Sequence, residues 1–136
     1  MSDQNWPRIG ASAAIWALVY NAVWGLTWFA FMRTEWLEAV AAIGEPLPWT
    51  PAVWLIWALL SLLIALAIMT HAAGQVRARK AAVTAACAGW LLLTMGMAWW
   101  SVQQSLSLRV IALDSTVNLV GMVAGSLAGA PLLPSG

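Results

Sequence analysis

The stretch that decides the fold is DSTVNLVGMVAGSLAGAPLL, residues 114–133. In a helix, Asp114, Asn118, Gly121, Gly125 and Gly129 fall on one stripe at i, i+4, i+7, i+11 and i+15. The glycines repeat a small-x-x-x-small pattern, a glycine zipper that lets another helix backbone approach closely. An amide and a carboxyl are costly in hydrocarbon unless they face a partner. We therefore predict a transmembrane helix whose glycine stripe contacts another helix.

The composition indicates an integral membrane protein. The 136 residues are 62% hydrophobic and 8% charged, with a mean hydropathy of +0.82, whereas a soluble domain carries about 25% charged residues. The sequence leaves no room for a soluble catalytic domain, so we predict one all-α domain over residues 1–136 with four transmembrane helices. Uncharged runs long enough to span a bilayer cover residues 9–32, 46–70, 81–108 and 115–136.

The first span carries an aromatic stripe. Tyr20, Asn21 and Trp24 lie near its middle, although tryptophans of an interfacial belt belong at the two membrane surfaces. Two interpretations stay open: these side chains pack against neighbouring helices and satisfy one another's hydrogen bonds, or they form a pocket for a ligand, lipid or pigment. The residues that recur every fourth position are Trp16, Tyr20, Trp24 and Trp28.

A short amphipathic helix is predicted between the first two spans. Thr34 is a suitable N-cap with Glu35 in the first turn, and Gly44 is suited to end the helix. Such a helix is expected to lie on the membrane surface. Thr50 followed by Pro51 is predicted to open the second span. The apolar side of the amphipathic helix would comprise Trp36, Leu37, Val40, Ala41 and Ile43.

The remaining spans differ in their packing signals. The second span has few, so we predict that it is the most exposed to lipid. Three further glycines are predicted to pack against neighbouring helices: Gly25 on the first span, and Gly89 and Gly96 on the third. Asp114 and Asn118 are expected to open the outer end of the fourth span.

The distribution of Lys and Arg predicts the orientation. Four basic residues lie on one side of the predicted spans and two on the other. The positive-inside rule then places both termini in the cytoplasm of a bacterium, with the chain in the inner membrane. The first span follows one Arg and one Asp, not a basic segment, so it is expected to be retained. The basic residues are Arg8, Arg77, Arg79 and Lys80 on the first side, and Arg33 and Arg109 on the second.

Two stretches resemble a known family. Residues 24–29, WGLTWF, with Trp36 eight residues after Trp28, resemble the G-x-x-W-[YF] motif and the following Trp of a small bacterial membrane family of unknown function, DUF 1761. Residues 114–120 resemble the polar position and small-residue-rich span that close members of that family. The resemblance implies four spans over nearly the whole chain, and it implies no activity.

The sequence favours a protein that is not an enzyme. It contains no H-E-x-x-H, G-x-S-x-G, phosphate-loop or c-type haem motif, and it predicts neither a metal site nor a nucleic-acid partner; a cofactor remains unknown. The leading hypothesis is helix association, either as a homo-oligomer or as an accessory subunit of a larger inner-membrane complex. The alternative is a small-solute transporter or channel that uses Tyr20, Asn21, Asp114 and Asn118. A wet cavity around Asp114 and Asn118 would favour transport, and a dry helix interface would favour association.

Overall fold

The apolar runs of the sequence form helices. The structure, a computed structural model, describes residues 5–133, and this part of the chain contains no β-strand. Four helical segments are long and apolar enough to cross a membrane, which confirms the all-α prediction. The elements are α1 (Trp6–Thr27), a π-helical turn (Trp28–Met32), α2 (Arg33–Ala42), α3 (Pro51–Ala73), α4 (Ala78–Gln103), α5 (Leu108–Gly129) and a 3-10 turn (Ala130–Leu132).

Side-chain caps fix where α3 and α5 begin. The Val53 amide donates to Thr50 Oγ1 at 3.3 Å, as predicted for the start of α3. Ser107 caps α5 in the same way. Helix α5 therefore begins six residues before Asp114, and the prediction that Asp114 and Asn118 open this helix is wrong. The last three residues of the predicted fourth span, 134–136, lie outside the described residues.

The first span does not end at Arg33. Trp6–Ala42 is one continuous helical segment of 37 residues, because the π-helical turn carries the helix from α1 into α2. Thr34 is consequently not an N-cap: Met32 and Arg33 already have helical backbone angles, and no side chain caps α2. The prediction of a separate helix starting at Thr34 is wrong, because the π-helical turn carries the helix on through Arg33, Thr34 and Glu35 and no side chain caps α2.

The end of α2 follows the sequence prediction. Gly44 has a φ of +74°, a backbone conformation that glycine adopts readily. The Gly44 amide donates to the Ala41 oxygen at 3.2 Å, and the Glu45 amide to the Val40 oxygen at 3.0 Å. This pair of bonds is a Schellman motif, which ends the helix.

The buried face of α2 differs from the predicted one. Trp36, Ala39 and Val40 are buried, whereas Leu37 and Ala41 are exposed. The buried face therefore follows the stripe that continues from α1 through the π-helical turn, whose extra residue shifts the register of the faces that follow.

The helices pack in a ring in which neighbours run antiparallel. Helix α1 packs against α5 and α3, and α4 packs against α5 and α3. The two longest buried faces belong to α1 and α5, which contact each other from Ser12 and Gly129 to Trp24 and Asn118. Helix α4 is the least buried, with only Ala82, Ala86 and Ser101 buried along its 26 residues. The prediction that the second span is the most exposed is wrong.

Candidate functional site

The glycine stripe of α5 lies directly against α1. A Cβ on Gly129 would lie 2.6 Å from the Ser12 carbonyl oxygen, and a Cβ on Gly125 would lie 2.9 Å from the Trp16 carbonyl oxygen. Both distances are too short for any side chain. Because the matching positions advance by four residues on each helix, the glycines fix the antiparallel register of the two helices.

The same register brings the predicted polar residues together. A Cβ on Gly121 would lie 2.9 Å from Tyr20 Cδ2, so the Tyr20 ring occupies the space that a side chain at this position would need. Tyr20 Oη donates a hydrogen bond to Asn118 Oδ1. Trp24 Nε1 lies 3.1 Å from Tyr20 Oη and 3.2 Å from Asn118 Oδ1. Asn118 Nδ2 donates to Asp114 Oδ2 at 3.1 Å. We call Tyr20, Trp24, Asn118 and Asp114 the polar network.

Asn21 does not join the polar network. Its Nδ2 donates to Ser61 Oγ on α3 and to the Ala17 carbonyl oxygen, both at 2.7 Å. Adjacent residues of a helix point about 100° apart, so Tyr20 faces α5 and Asn21 faces α3. The expectation that Asn21 belongs to the same polar group as Asp114 is wrong.

The other three predicted packing glycines divide into two groups. A Cβ on Gly89 would lie 3.3 Å from Met122 Cε, so α4 approaches α5 closely there. Around Gly25 and Gly96, no heavy atom of the described residues lies within 4 Å of a Cβ position. Gly25 and Gly96 therefore do not pack closely against another helix of the described residues, and the packing predicted for them stays a prediction for contact with a partner.

The Asp114 carboxyl is buried without a charged partner. Asp114 is 3% exposed, its Oδ1 has no hydrogen-bond partner within residues 5–133, and no salt bridge in that range includes it. Arg109, one and a half turns earlier, instead pairs with Glu35: Nε lies 2.8 Å from Oε2, and Nη2 lies 2.7 Å from Oε1. Sequence reasoning missed this ion pair, although it placed both residues on the same side of the membrane.

Trp49 gathers an aromatic cluster beside the polar network. Its ring centroid lies 5.5 Å from that of Trp54 and 5.8 Å from that of Trp36, with Trp24 at 5.9 Å and Trp28 at 6.0 Å. Trp49 belongs to the connector between α2 and α3, so it folds back between helices. No sequence signal indicates the contacts of Trp49, because a connector has no periodicity from which its neighbours could be predicted.

One indole nitrogen of this cluster is buried without an acceptor. Trp49 Nε1 has no hydrogen-bond partner in the part of the chain that the structure describes, whereas the Trp36 indole lies within reach of the Asp114 carboxyl. Buried polar groups without partners are rare. The two tryptophans also line an apolar groove of about 210 Å³. The groove is completed by Pro48, Val53, Met97 and Trp100.

Comparison of the chain with protein-family models, with curated protein sequences and with solved structures finds no match. The resemblance to DUF 1761 therefore stays a prediction. The features that bear on function are the contact between α1 and α5, the aromatic cluster and the outer surface of the helices.

Proposed function

We propose that this chain is a non-enzymatic integral protein of the bacterial inner membrane that acts by helix association, as a homo-oligomer or as an accessory subunit of a larger complex. The four apolar helices support membrane insertion. The Lys and Arg counts support cytoplasmic termini.

The length of the first helical segment supports an interfacial position for α2. Trp6–Ala42 has 37 residues, which at 1.5 Å per residue is about 56 Å, whereas the hydrocarbon core is about 30 Å thick. The segment therefore extends beyond the core at one end or both. The α2 end carries Arg33, Glu35 and Glu38, and these charges favour the headgroup layer.

The outer face of α4 is the observation that carries the association proposal. The glycine stripe of α5 is already covered by α1, so it is not free for a partner. Helix α4 has the smallest buried share of the four long helices. Its exposed side combines small residues, Ala88 and Gly96, with the large Trp99, which is 71% exposed. Small positions beside a large aromatic side chain suit close contact between membrane helices.

Disulfide cross-linking in native membranes tests this proposal. In a Cys87→Ala background, Gly96→Cys introduces a thiol on the α4 face, and Leu63→Cys introduces one on the exposed side of α3 as a control. We expect oxidation to cross-link the Gly96→Cys variant and to leave the Leu63→Cys variant monomeric. A cross-link to a different polypeptide would select the accessory-subunit form. No cross-link at either position would contradict association through α4.

The same structure gives less support to a channel. Tyr20 and Asp114 are each hydrogen-bonded to Asn118. All three side chains are buried, with exposed fractions of 2% for Tyr20, 3% for Asp114 and 5% for Asn118. These side chains fill part of the contact between α1 and α5. This contact therefore resembles the dry helix interface that was expected to favour association.

A further inference from the structure

A cleft opens at the end of the bundle where the turn between α3 and α4 lies. Its volume is about 570 Å³, which is within the range of small-molecule sites. Both helices contribute to it, since one lining residue lies in the last turn of α3 and another is the N-cap residue of α4. The polar side chains that line the cleft are His71, Gln75, Arg77, Lys80 and Thr84.

The backbone around the cleft is fixed by hydrogen bonds. The Gln75 amide donates to a carbonyl oxygen in the last turn of α3, and the Ala81 amide donates to the Arg77 carbonyl oxygen, both at 3.0 Å. Helical spacing then places the lining residues of α4 together. The residues that share this face, at i, i+3, i+4 and i+7, are Arg77, Lys80, Ala81 and Thr84.

The charges around the cleft favour an anion. Each of its five polar side chains can donate a hydrogen bond, and Arg77 and Lys80 are positively charged. No salt bridge within residues 5–133 includes either of these two side chains. Within that range no carboxylate competes with an anionic ligand, because every acidic residue lies toward the opposite end of the bundle. These acidic residues are Glu35, Glu38, Glu45 and Asp114.

The position of the cleft favours a phosphate group as the anion. Helix α3 is a mostly apolar span of 23 residues, and the cleft begins where this span ends, which is the level of the headgroups in a membrane. Basic pockets between transmembrane helices bind phosphate-containing headgroups, because arginine and lysine both make charge-assisted hydrogen bonds to phosphate oxygens. Val76 and Ala81 add apolar lining, which suits a phosphate that carries an organic group.

We propose that the cleft between α3 and α4 binds an organic phosphate, carried either by an anionic lipid headgroup or by a soluble phosphate ester. Arg77 and Lys80 bind the phosphate oxygens, and Val76 and Ala81 contact the carbon chain. This inference rests on the proposed insertion of the chain in a membrane but not on association through α4. Lys80 lies sixteen residues before Gly96, about 24 Å along the helix at 1.5 Å per residue.

Native mass spectrometry of the purified chain in a non-ionic detergent tests the site, with phosphatidylglycerol as the probe and zwitterionic phosphatidylcholine as the comparison. Arg77→Gln and Lys80→Gln each remove one charge that lines the cleft. The matched control is Arg79→Gln, which removes a charge from the same basic segment at a position that does not line the cleft. We expect each cleft variant to weaken phosphatidylglycerol binding about tenfold, as for loss of a charge-assisted contact, and the control to leave it nearly unchanged.

Two results of this titration would overturn the proposal. Equal losses for Lys80→Gln and Arg79→Gln would mean that the basic segment attracts anions as a whole and that the cleft selects none. Equal affinity of the unmodified protein for the two lipids would mean that the charge of the headgroup is not recognised.

A second pair of variants tests the cleft without changing its charge. Ala81→Leu fills part of the cleft and keeps both cations, whereas Ala52→Leu adds the same side chain at an exposed position at the other end of α3. We expect only Ala81→Leu to weaken phosphatidylglycerol binding. If both variants bind this lipid like the unmodified protein, the phosphate is not held in the cleft and the proposal is wrong.

Competition by glycerol phosphate distinguishes the two sources of the phosphate group. If glycerol phosphate displaces phosphatidylglycerol, the site takes a soluble phosphate ester. If it does not, while phosphatidylglycerol binding still depends on Lys80, the site takes a lipid headgroup.

Extraction of membranes with alkaline carbonate separates this proposal from the proposed function. Release of the chain by carbonate would contradict its insertion in the membrane. A chain that stays in the membrane fraction and, after purification, binds neither phosphatidylglycerol nor glycerol phosphate would overturn the phosphate site alone.

Discussion

The two ends of the contact between α1 and α5 are built differently. At one end, Gly125 and Gly129 face the carbonyl oxygens of Trp16 and Ser12 at distances that exclude any side chain. At the other end, large polar and aromatic side chains fill the space, and Asp114 Oδ1 is left without a partner among residues 5–133. The glycine end fixes how the helices meet, whereas the polar end holds groups whose bonding is incomplete.

This difference assigns separate roles to the two ends. Repulsion between a backbone oxygen and an added carbon rises steeply with approach, so the glycine end tolerates no change. A hydrogen bond between membrane helices contributes on average only about 0.6 kcal/mol, so loss of a single hydrogen bond at the polar end costs less. Stability should therefore be most sensitive to added volume at the glycine end, and at the polar end to lost packing more than to lost hydrogen bonds.

The largest effect is expected for Gly125→Leu. Its Cβ alone would lie 2.9 Å from a backbone oxygen and 3.1 Å from the Trp16 ring, and three more carbons follow. Backbone cannot move aside as a side chain can, so α1 and α5 would have to separate. We expect loss of the folded monomer, measured as circular dichroism during unfolding by SDS in mixed micelles.

Gly96→Leu is the matched control for this change. No heavy atom of the described residues lies within 4 Å of its Cβ position, so the monomer should unfold as the unmodified protein does. If the two leucine variants are equally stable, the glycine end does not hold the helices together, and the comparison between the ends fails.

Trp24→Ala should have the next largest effect. Trp24 is 1% exposed, packs on Trp49 and Trp54, and belongs to the polar network. Removing a buried Trp side chain typically costs about 3–5 kcal/mol. Trp99→Ala is the matched control: because Trp99 is 71% exposed, its replacement should lower the unfolding free energy only slightly. Equal losses in the unfolding free energies of the two variants would mean that the aromatic end contributes little packing.

The sequence predicts which residues of a helix share a face better than it predicts which other helix that face contacts. Residues of one helix at spacings of three and four share a face in any fold, so Asp114, Asn118 and the three glycines could be grouped without a structure. The stripe containing Tyr20 and Trp24 could be found in the same way. Periodicity does not tell which face meets which helix, and for this reason Asn21 was assigned to the wrong polar group.

The aromatic cluster shows a second limit of sequence reasoning. Trp49 lies in a connector that contains Pro46 and Pro48, where no repeat indicates burial. Its contacts depend on α2 continuing from α1 through the π-helical turn, which places Trp36 above the bundle. A local capping pattern at Thr34 predicted a break there, but the burial of Trp36 and Val40 on the stripe that continues from α1 overrides that local preference.

Asn118→Leu should have a smaller effect than either large substitution. The change removes the acceptor of Tyr20 and Trp24 and the donor to Asp114. Unsatisfied buried groups cost about 1–3 kcal/mol, and the leucine side chain recovers part of this by packing. We expect a loss of about 1–2 kcal/mol in SDS unfolding. A loss as large as that of Gly125→Leu would show that the polar end also fixes the helix register.

The smallest effect is expected for the ion pair that lies beyond the polar end. The Arg109 side chain is 75% exposed and that of Glu35 is 19% exposed, and exposed ion pairs contribute little to stability even when their geometry is bidentate. A double-mutant cycle with Glu35→Gln and Arg109→Gln should therefore give a coupling free energy smaller than the loss expected for Asn118→Leu.

The salt dependence of that coupling sharpens the comparison. Screening by salt acts strongly on exposed charges and weakly on buried ones, so the coupling should fall when the cycle is repeated at high ionic strength. Because Glu35 precedes Trp36, the pair holds α2 near Asp114 while adding little to global stability. A coupling that is large and insensitive to salt would mean that the pair is buried when the chain is in a bilayer. The polar end would then be held as firmly as the glycine end.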